Sequence, residues 1–180
     1  LLKIKPFIAS EQKQNNCILV DIHRPENFNY TERLHSIIHF ANMCNLKYNL
    51  PVKLIYFKRL QESIEKNSLS LGNVEIIPLM SFSDYLKTVY HSLFIISDSG
   101  TGQEEPALLN TPVIVPRDYT ERPQSYKYNC SKQLLLENRN DEEVFDWIDK
   151  VISGQIKMET DWLGNGNTSK LITEKIMEFL

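Results

Sequence analysis

Three polar clusters in this sequence contain residue types that can bind an anionic ligand or move a proton. They are DIHRPEN at residues 21–27, SDSGTGQEE at residues 97–105 and RDYTERP at residues 117–123. In the second cluster, glycines and small hydroxyl residues would let backbone N–H groups approach a phosphate or diphosphate at the start of a helix. The loop contains neither GxGxxG nor the Lys-bearing P-loop pattern, so an ordinary tight turn is equally compatible with it.

Charged side chains in the first two clusters fit the same kind of ligand. Glu105, one turn into the predicted helix, could accept hydrogen bonds from a ribose diol beside the phosphate. His23 offers a titratable donor and Arg24 a permanent cation for a diphosphate. The alternative for His23 is a structural role, either capping a helix or packing beneath Pro25.

The third cluster places four charges within six residues: Arg117, Asp118, Glu121 and Arg122. We expect these charges to form ion pairs that hold the shape of the loop, with Arg122 or Arg117 facing the charge of the ligand. A solvated loop without a ligand is the alternative.

Other residues with metal or redox chemistry lack the necessary partners. His35 and His39 have the spacing of two metal ligands on one helix, but no third ligand is apparent, so we predict surface or interface histidines and neither a metal nor a cofactor. Cys17, Cys44 and Cys130 lie far apart and form no CxxC pair. We predict reduced, mostly buried thiols.

Alternating strands and helices must position these clusters. Short runs that are apolar throughout predict strands buried on both faces of a parallel sheet, at residues 17–22, 52–57, 74–77, 93–97, 113–115 and, more weakly, 133–136. The resulting pattern predicts an α/β fold with a doubly wound parallel Rossmann-like sheet. Ligands of such sheets bind at the carboxyl ends of the strands, where all three clusters lie.

Helix signals separate the predicted strands. Asn29 with Glu32 predicts a capping box, and Ser81 with Asp84 predicts the cap of a helix that buries Phe82. Residues 103–109 predict a short helix, a further helix begins at about residue 140, and an amphipathic helix that includes Leu180 ends the sequence.

Length and charge narrow the possible functions. The chain has 180 residues, which suits one domain, and its formal net charge is −3, with acidic and basic residues intermixed. The absence of a basic stripe argues against nucleic-acid binding. No apolar run is long enough to span a bilayer or to form a secretory signal, so we expect no membrane partner and a cytoplasmic location.

Taken together, in this order and spacing, HRPEN, SDSGTGQEE and RDYTERP resemble the non-hydrolysing UDP-N-acetylglucosamine 2-epimerases. The resemblance extends from about Cys17 to the segment GNGNTSKLITEKI at residues 164–176. It implies the carboxyl-terminal half of a glycosyltransferase-B type fold, in which two Rossmann-like domains enclose the substrate. Residues 1–180 would then form a single UDP-binding domain, without the amino-terminal domain.

The resemblance also implies roles for individual residues. His23 matches the catalytic histidine near the diphosphate, and Glu105 matches the position that binds the ribose hydroxyls. The UDP-binding residues that we expect are Arg24, Ser99, Gly100, Thr101, Glu105 and Arg122. Arg24 and Glu26 match positions that meet a second, allosteric UDP-sugar in some bacterial members, and we assign Glu26 and Arg117 to an allosteric or loop-shaping role.

The reaction of the family interconverts UDP-GlcNAc and UDP-ManNAc by anti elimination of UDP, followed by its re-addition. By resemblance, the carboxylates that transfer protons belong to the amino-terminal domain, so we expect this domain alone to be inactive. The full-length protein is expected to be a homodimer that supplies precursors of cell-surface polysaccharides.

Two departures from the motifs leave the sugar open. Thr101 replaces a second glycine, as in relatives that act on other UDP-2-acetamido sugars of the N-acetyl-fucosamine or diacetamido-uronic acid pathways, and Pro25 replaces the commoner Arg or Glu. Three further alternatives are a glycosyltransferase donor-binding domain, which RDYTERP disfavours, a nucleotide-binding module without catalysis, and a hydrolysing epimerase, which TERP at residues 120–123 disfavours.

Overall fold

A computed structural model of the protein describes residues 5–8 and 10–179, and for Lys5 and Phe7 it describes the backbone only. Six parallel strands form one sheet in the order β3-β2-β1-β4-β5-β6. The strands are β1 (Cys17–Asp21), β2 (Val52–Tyr56), β3 (Val74–Pro78), β4 (Ser92–Ser97), β5 (Val113–Val115) and β6 (Ser131–Gln133). The strand order reverses between β1 and β4, and this is where a doubly wound sheet forms its ligand crevice.

Helices connect and follow these strands. They are α1 (Lys5–Ile8), α2 (Pro25–Phe28), α3 (Thr31–Tyr48), α4 (Lys58–Lys66), α5 (Phe82–His91), α6 (Glu105–Leu108), α7 (Pro123–Lys127), α8 (Asp141–Ile152) and α9 (Thr168–Met177). Single 3-10 turns lie at Thr101–Gln103 and Asp161–Leu163. The predicted doubly wound α/β fold is confirmed.

Two apolar clusters cover the two faces of the sheet, which explains why the central strands are apolar throughout. On one face, Val20 and Ile96 pack with residues of α3 and α8, including Ile37 and Ile148. On the other face, Leu19, Ile95 and residues of α5 form the second cluster. Val20 pairs with Leu54 on one side and with Ile96 on the other, so β1 lies in the middle of the sheet.

The three cysteines are buried and free, as predicted. His35 and His39 are exposed on α3, with their ring centroids 6.5 Å apart. The described residues contain no cluster of three or more potential metal ligands. No helix in the same part of the chain is both long and apolar enough to cross a bilayer.

The predicted capping box at Asn29 and Glu32 is wrong. Helix α3 begins one residue after Tyr30, which makes no side-chain cap. Pro25 instead starts the short helix α2, because a proline fits the first turn of a helix. Asn29 is therefore the carboxyl-terminal cap of α2. In contrast, the predicted cap at Ser81 is present, since its Oγ accepts a hydrogen bond from the N–H of Asp84 at 3.2 Å.

Three further predictions differ from the structure. Phe82 is 53% exposed because it is the first residue of α5, whose buried residues are Leu86 and Val89. The sixth strand begins two residues earlier than predicted, at Ser131. The predicted helix at residues 103–109 is divided into the 3-10 turn and the four-residue helix α6, with Glu104 between them.

Helix α9 is present as predicted, but none of its side chains is buried. Its apolar residues, and Phe179 just beyond it, are all more than half exposed: Leu171, Ile172, Ile176, Met177 and Phe179. Leu180, which was assigned to the same helix, lies outside the described residues. The apolar stripe of α9 therefore contributes little to the core of this domain.

Candidate functional site

The first and second clusters meet at the carboxyl ends of β1 and β4, where one buried carboxylate joins them. Asp98, which is 0% exposed, accepts hydrogen bonds from the backbone N–H groups of His23 and Arg24, each at 3.0 Å. It also accepts a hydrogen bond from the side-chain amide of Asn27 at 3.0 Å, and that amide donates to the carbonyl of Pro116. Asp98 and Asn27 thus link the loops that follow β1, β4 and β5.

His23 lies beside two carboxylates. Its Nδ1 is 3.4 Å from Asp21 Oδ1 and 3.4 Å from Asp98 Oδ1. The hydrogen bond with Asp21 raises the pKa of His23, and the two negative charges act in the same direction, against the effects of partial burial and of Arg24. The side chain of His23 is 42% exposed, so the ring can also reach a ligand.

Arg24 extends toward the glycine loop after β4. Its Nη2 lies 3.8 Å from the position that a Cβ would occupy at Gly100, and Glu121 Oε2 lies 3.9 Å from the same position. The Nε of Arg24 is buried without a hydrogen-bond acceptor among the described residues. The structure therefore brings the predicted cation of the first cluster against the predicted phosphate loop of the second.

The two glycines of the loop have different reasons to be small. A Cβ at Gly102 would lie 2.8 Å from both Ser97 Oγ and Ser99 Cβ, so the packing of the loop itself requires glycine there. Gly100 has φ −64° and ψ −52°, a conformation open to any residue, and a Cβ there would meet nothing closer than 3.8 Å. A glycine at position 100 therefore leaves open space on the side of the loop that faces Arg24.

Backbone donors at the loop are available to a ligand. The N–H of Ser99 donates to Ser97 Oγ at 3.2 Å, and the N–H of Gln103 donates to the carbonyl of Gly100 at 3.2 Å. Between them, the N–H groups of Gly100 and Thr101 donate to no acceptor in the described part of the chain. These donors, together with the hydroxyl groups of Ser99 and Thr101, 3.3 Å apart, form a polar surface suited to an anion.

Glu104 and Glu105 are adjacent but have different surroundings. Glu104 Oε1 accepts a hydrogen bond from Arg122 Nε at 2.6 Å, so this carboxylate fixes the third cluster against the second. Glu105 makes no hydrogen bond or ion pair with a described residue, and partial burial raises the pKa of its carboxyl. It is the first residue of the four-residue α6 and not a residue one turn into a longer helix, so a helix dipole adds little at this site.

The third cluster forms the predicted ion pairs. The Arg117 side chain is 1% exposed and donates to both carboxylate oxygens of Glu121, at 2.9 and 3.2 Å. Its Nη2 also lies 3.2 Å from Glu26 Oε1, and its guanidinium stacks 4.7 Å from the ring centroid of Tyr119. Hydrogen bonding to Arg117 lowers the pKa of Glu121 to about 2. Arg117 and Glu26 therefore hold the shape of the loop, while Arg122 lines the cavity beside Glu105.

A buried amide, not singled out by the sequence, joins the same loops. Gln103, which is 0% exposed, donates through Nε2 to the carbonyl of Ser99 at 3.3 Å. Its Oε1 accepts hydrogen bonds from Thr120 at 2.7 Å and from Ser125 at 3.0 Å. The position of the Ser99 loop is thus linked directly to the loop that carries Arg122.

A cavity of about 520 Å³ lies beside Glu105, and its size suits part of a small-molecule ligand. It is lined by Glu104, Glu105, Leu108, Glu121, Arg122, Gln124, Trp162 and Leu163. The site therefore combines a loop with available backbone donors, two cations and a carboxylate that pairs with no described residue, all at one edge of the sheet.

Sequence reasoning did not assign roles to Asp21, Asp98 or Gln103, although all three stand inside the quoted clusters. The only available signal for Asp21 and Asp98 was a carboxylate at or directly after the end of a buried strand. Tyr85 of α5 is partly buried against the second apolar cluster, and its hydroxyl donates to Asp21 Oδ2 at 3.4 Å.

The chain is similar to known proteins in both sequence and fold. The sequence profile of UDP-N-acetylglucosamine 2-epimerases matches residues 2–177. A UDP-N-acetylglucosamine 2-epimerase of Methanococcus maripaludis is 28% identical over 182 residues, which cover 94% of this chain and 47% of that protein. The crystal structure of the UDP-GlcNAc 2-epimerase of Neisseria meningitidis bound to UDP-GlcNAc is similar with a TM-score of 0.74 and 26% identity, over 98% of this chain and 48% of that one.

A more distant structure shares the fold. The heptosyltransferase of E. coli with ADP has a TM-score of 0.54 at 14% identity, over 82% of this chain and 48% of that chain. The chain thus spans about half the length of the proteins that it matches. Its Rossmann-like sheet corresponds to half of each of these larger folds.

Proposed function

Because this chain belongs to the UDP-N-acetylglucosamine 2-epimerase family, we propose that it is the UDP-binding domain of an enzyme that interconverts UDP-GlcNAc and UDP-ManNAc. The observation that carries this proposal is the meeting of His23, Arg24 and the Ser99 loop around the buried carboxylate of Asp98. This arrangement brings backbone donors, a guanidinium and an imidazole to the same edge of the sheet, and a diphosphate site needs donors and positive charge of this kind.

In this proposal, the diphosphate lies on the loop of Ser99, Gly100 and Thr101. The unpaired N–H groups of Gly100 and Thr101 would donate to phosphate oxygens, and the absence of a side chain at Gly100 leaves room for them. Arg24 and Arg122 would supply positive charge from either side of the loop. Glu105, whose carboxylate pairs with no described residue, would accept hydrogen bonds from the ribose hydroxyls.

The chemistry is an elimination followed by its reverse. A base takes the proton from C2 of the sugar, the bond between C1 and the UDP oxygen breaks, and a C1=C2 double bond forms; re-addition with the opposite configuration at C2 completes the epimerisation. The departing oxygen gains negative charge, which His23 and the Ser99 loop would stabilise. The acids and bases that act at C2 are assigned to a further domain of the whole enzyme.

The exposed stripe of α9 supports the presence of such a domain in the full-length protein. Its apolar residues are all more than half exposed, and the relatives are about twice as long as this chain. We therefore assign residues 1–180 to one UDP-binding domain, which binds but does not turn over substrate. The whole enzyme is proposed to be a cytoplasmic homodimer that supplies precursors of cell-surface polysaccharides.

Two other functions fit the same fold. One alternative is an epimerase for another UDP-2-acetamido sugar, because Thr101 departs from the usual motif. A glycosyltransferase donor-binding domain is favoured only by the fold shared with the heptosyltransferase. Incubation of the full-length protein with labelled UDP-GlcNAc separates these functions. An epimerase for this sugar gives labelled UDP-ManNAc, and an epimerase for another sugar leaves the labelled UDP-GlcNAc unchanged. A glycosyltransferase moves the label to an acceptor.

Calorimetric titration of this chain with UDP and UDP-GlcNAc tests the proposed site. Glu105→Ala and Ser99→Ala should each lower affinity about ten- to hundredfold, because each loses a hydrogen bond to a hydroxyl or charged group of the ligand worth about 1.5–3 kcal/mol. Glu142→Ala, which removes an exposed carboxylate on α8, is the matched control and should bind as the wild type does. Equal affinities for all four proteins would refute the assignment.

A further inference from the structure

The ring of His23 is held between carboxylates that come from two different strands. Asp21 is the last residue of β1, and Asp98 follows the last residue of β4. Each places its Oδ1 at 3.4 Å from Nδ1 of His23. The same ring nitrogen therefore faces both acids, and Nε2 is the nitrogen left for a ligand.

The two carboxylates differ in how much of their hydrogen-bonding capacity is already used. Asp98 is fully buried, and both of its oxygens accept hydrogen bonds from N–H groups of the loop that contains Arg24 and Asn27. Asp21 is 18% exposed, and apart from the ring its described partner is the hydroxyl of Tyr85, which donates to Oδ2. Asp98 thus shapes the loop, while Oδ1 of Asp21 is directed at the imidazole.

The charged groups around the ring favour its protonated form. Asp21 acts from β1 and Asp98 from the loop after β4, whereas Arg24, on the same loop as His23, opposes them. Glu121, from the loop after β5, approaches the same Cβ position at Gly100 as Arg24 does and partly offsets the charge of that arginine. Tyr85 of α5 keeps Asp21 in place. The net effect is a raised pKa of His23, with the hydrogen bond to Asp21 as the largest cause.

We propose that Asp21 is a positioning residue that holds His23 as an imidazolium, with Nδ1–H directed to the carboxylates and Nε2–H presented to the diphosphate. This inference rests on the proposed function for the identity of the anion. His23 then acts as a cationic donor to the departing UDP and not as the base that removes the proton from C2. A neutral Asn at position 21 would keep the size of the side chain but lose this effect.

The state of His23 is measurable in the free chain by NMR, without any ligand. In the wild type, the His23 signal, identified by its loss in His23→Gln, should titrate above the ordinary value of about 6.5. Its 15N shifts should place the proton on Nδ1 after the ring becomes neutral. Asp21→Asn should lower the midpoint and move the proton toward Nε2. Asp146→Asn, an exposed change on α8, is the matched control and should leave both unchanged.

The consequence for binding is tested with UDP-GlcNAc, whose diphosphate is esterified at both ends and so has no ionisation of its own near neutral pH. In the wild type, affinity should fall about tenfold as the pH rises through the NMR midpoint of His23, since a charged donor becomes neutral. In Asp21→Asn this fall should occur at lower pH, and in His23→Gln it should be absent.

The outcomes separate the two proposals. A wild-type His23 that titrates at or below its ordinary value, or an Asp21→Asn variant with an unchanged His23 titration, overturns the role of Asp21 even when UDP-GlcNAc binds. If the NMR results are as expected and UDP-GlcNAc does not bind at any pH, the proposed function fails at this site. If Asp21→Asn does not fold, a wild-type midpoint at or below the ordinary value, or a neutral ring with its proton on Nε2, still overturns the inference.

Discussion

The two glycines of the loop after β4 provide a matched pair of substitutions. In Gly102→Ala the new methyl would meet Ser97 Oγ and Ser99 Cβ at 2.8 Å, inside a buried loop, so neighbouring atoms must move. Overpacking of this kind costs about 1–3 kcal/mol. In Gly100→Ala the methyl meets nothing closer than 3.8 Å, and the φ of −64° suits alanine. We expect unchanged stability or a gain of about 0.4–1 kcal/mol from the lower entropy of the unfolded chain.

Although Gly100→Ala should leave stability unchanged or raised, it should weaken ligand binding. The methyl of Gly100→Ala would project toward Arg24 and Glu121, where we place the diphosphate, and should lower UDP-GlcNAc affinity about tenfold or more, equivalent to at least about 1.4 kcal/mol. Gly100→Ala thus separates binding from stability, which Gly102→Ala cannot do.

Urea unfolding followed by tryptophan fluorescence measures the stability difference. With a slope of about 2 kcal/mol per molar urea, the midpoint of Gly102→Ala should fall by about 0.5–1.5 M while that of Gly100→Ala stays constant or rises. Calorimetry on the same proteins measures affinity. Equal losses of stability in both variants would refute the packing argument, and wild-type affinity in Gly100→Ala would remove the diphosphate from this loop.

Three further predictions concern pH and the carboxyl-terminal helix. The pKa of Glu121 is lowered to about 2, so its pairing with Arg117 should stabilise the fold above pH about 4.5, and this stabilisation should be lost as the pH falls toward 2. Glu121→Gln should lack this loss of stability in an acid titration, and a wild-type acid dependence in the variant would contradict the pairing. The pKa of His23 is raised, so its stabilising contribution should be complete below pH about 6.5 and be lost as the pH rises through the folded-state pKa; a wild-type slope in His23→Gln would contradict it. Removal of residues 168–180 should change the free energy of unfolding by less than about 0.5 kcal/mol, since no side chain of α9 is buried, and a larger loss measured with urea would show that α9 packs on this domain.

Much of the site could be predicted because its residues occur in contiguous clusters at strand ends. His23 and Arg24 follow β1 and the Ser99 loop follows β4, so a parallel sheet alone brings them to one edge. The roles proposed for Ser99, Gly100 and Glu105 stay predictions. The boundaries of the helices were predicted less accurately. Pro25 starts a short helix that was not predicted, and the predicted helix at residues 103–109 is divided into a 3-10 turn and α6.

Apolar runs and helical spacing are local properties, so they were enough to predict the class of fold and the edge of the sheet where the polar clusters lie. The tertiary structure decided the partners. Glu104 and Glu105 are identical neighbours in the sequence, yet Arg122 pairs with Glu104, and Glu105 pairs with no described residue. Asp98 likewise reaches the backbone of His23 and Arg24 across more than seventy residues. Such pairings depend on distances that only the folded chain sets, because hydrogen bonds and ion pairs act over a few ångströms whatever the separation in sequence.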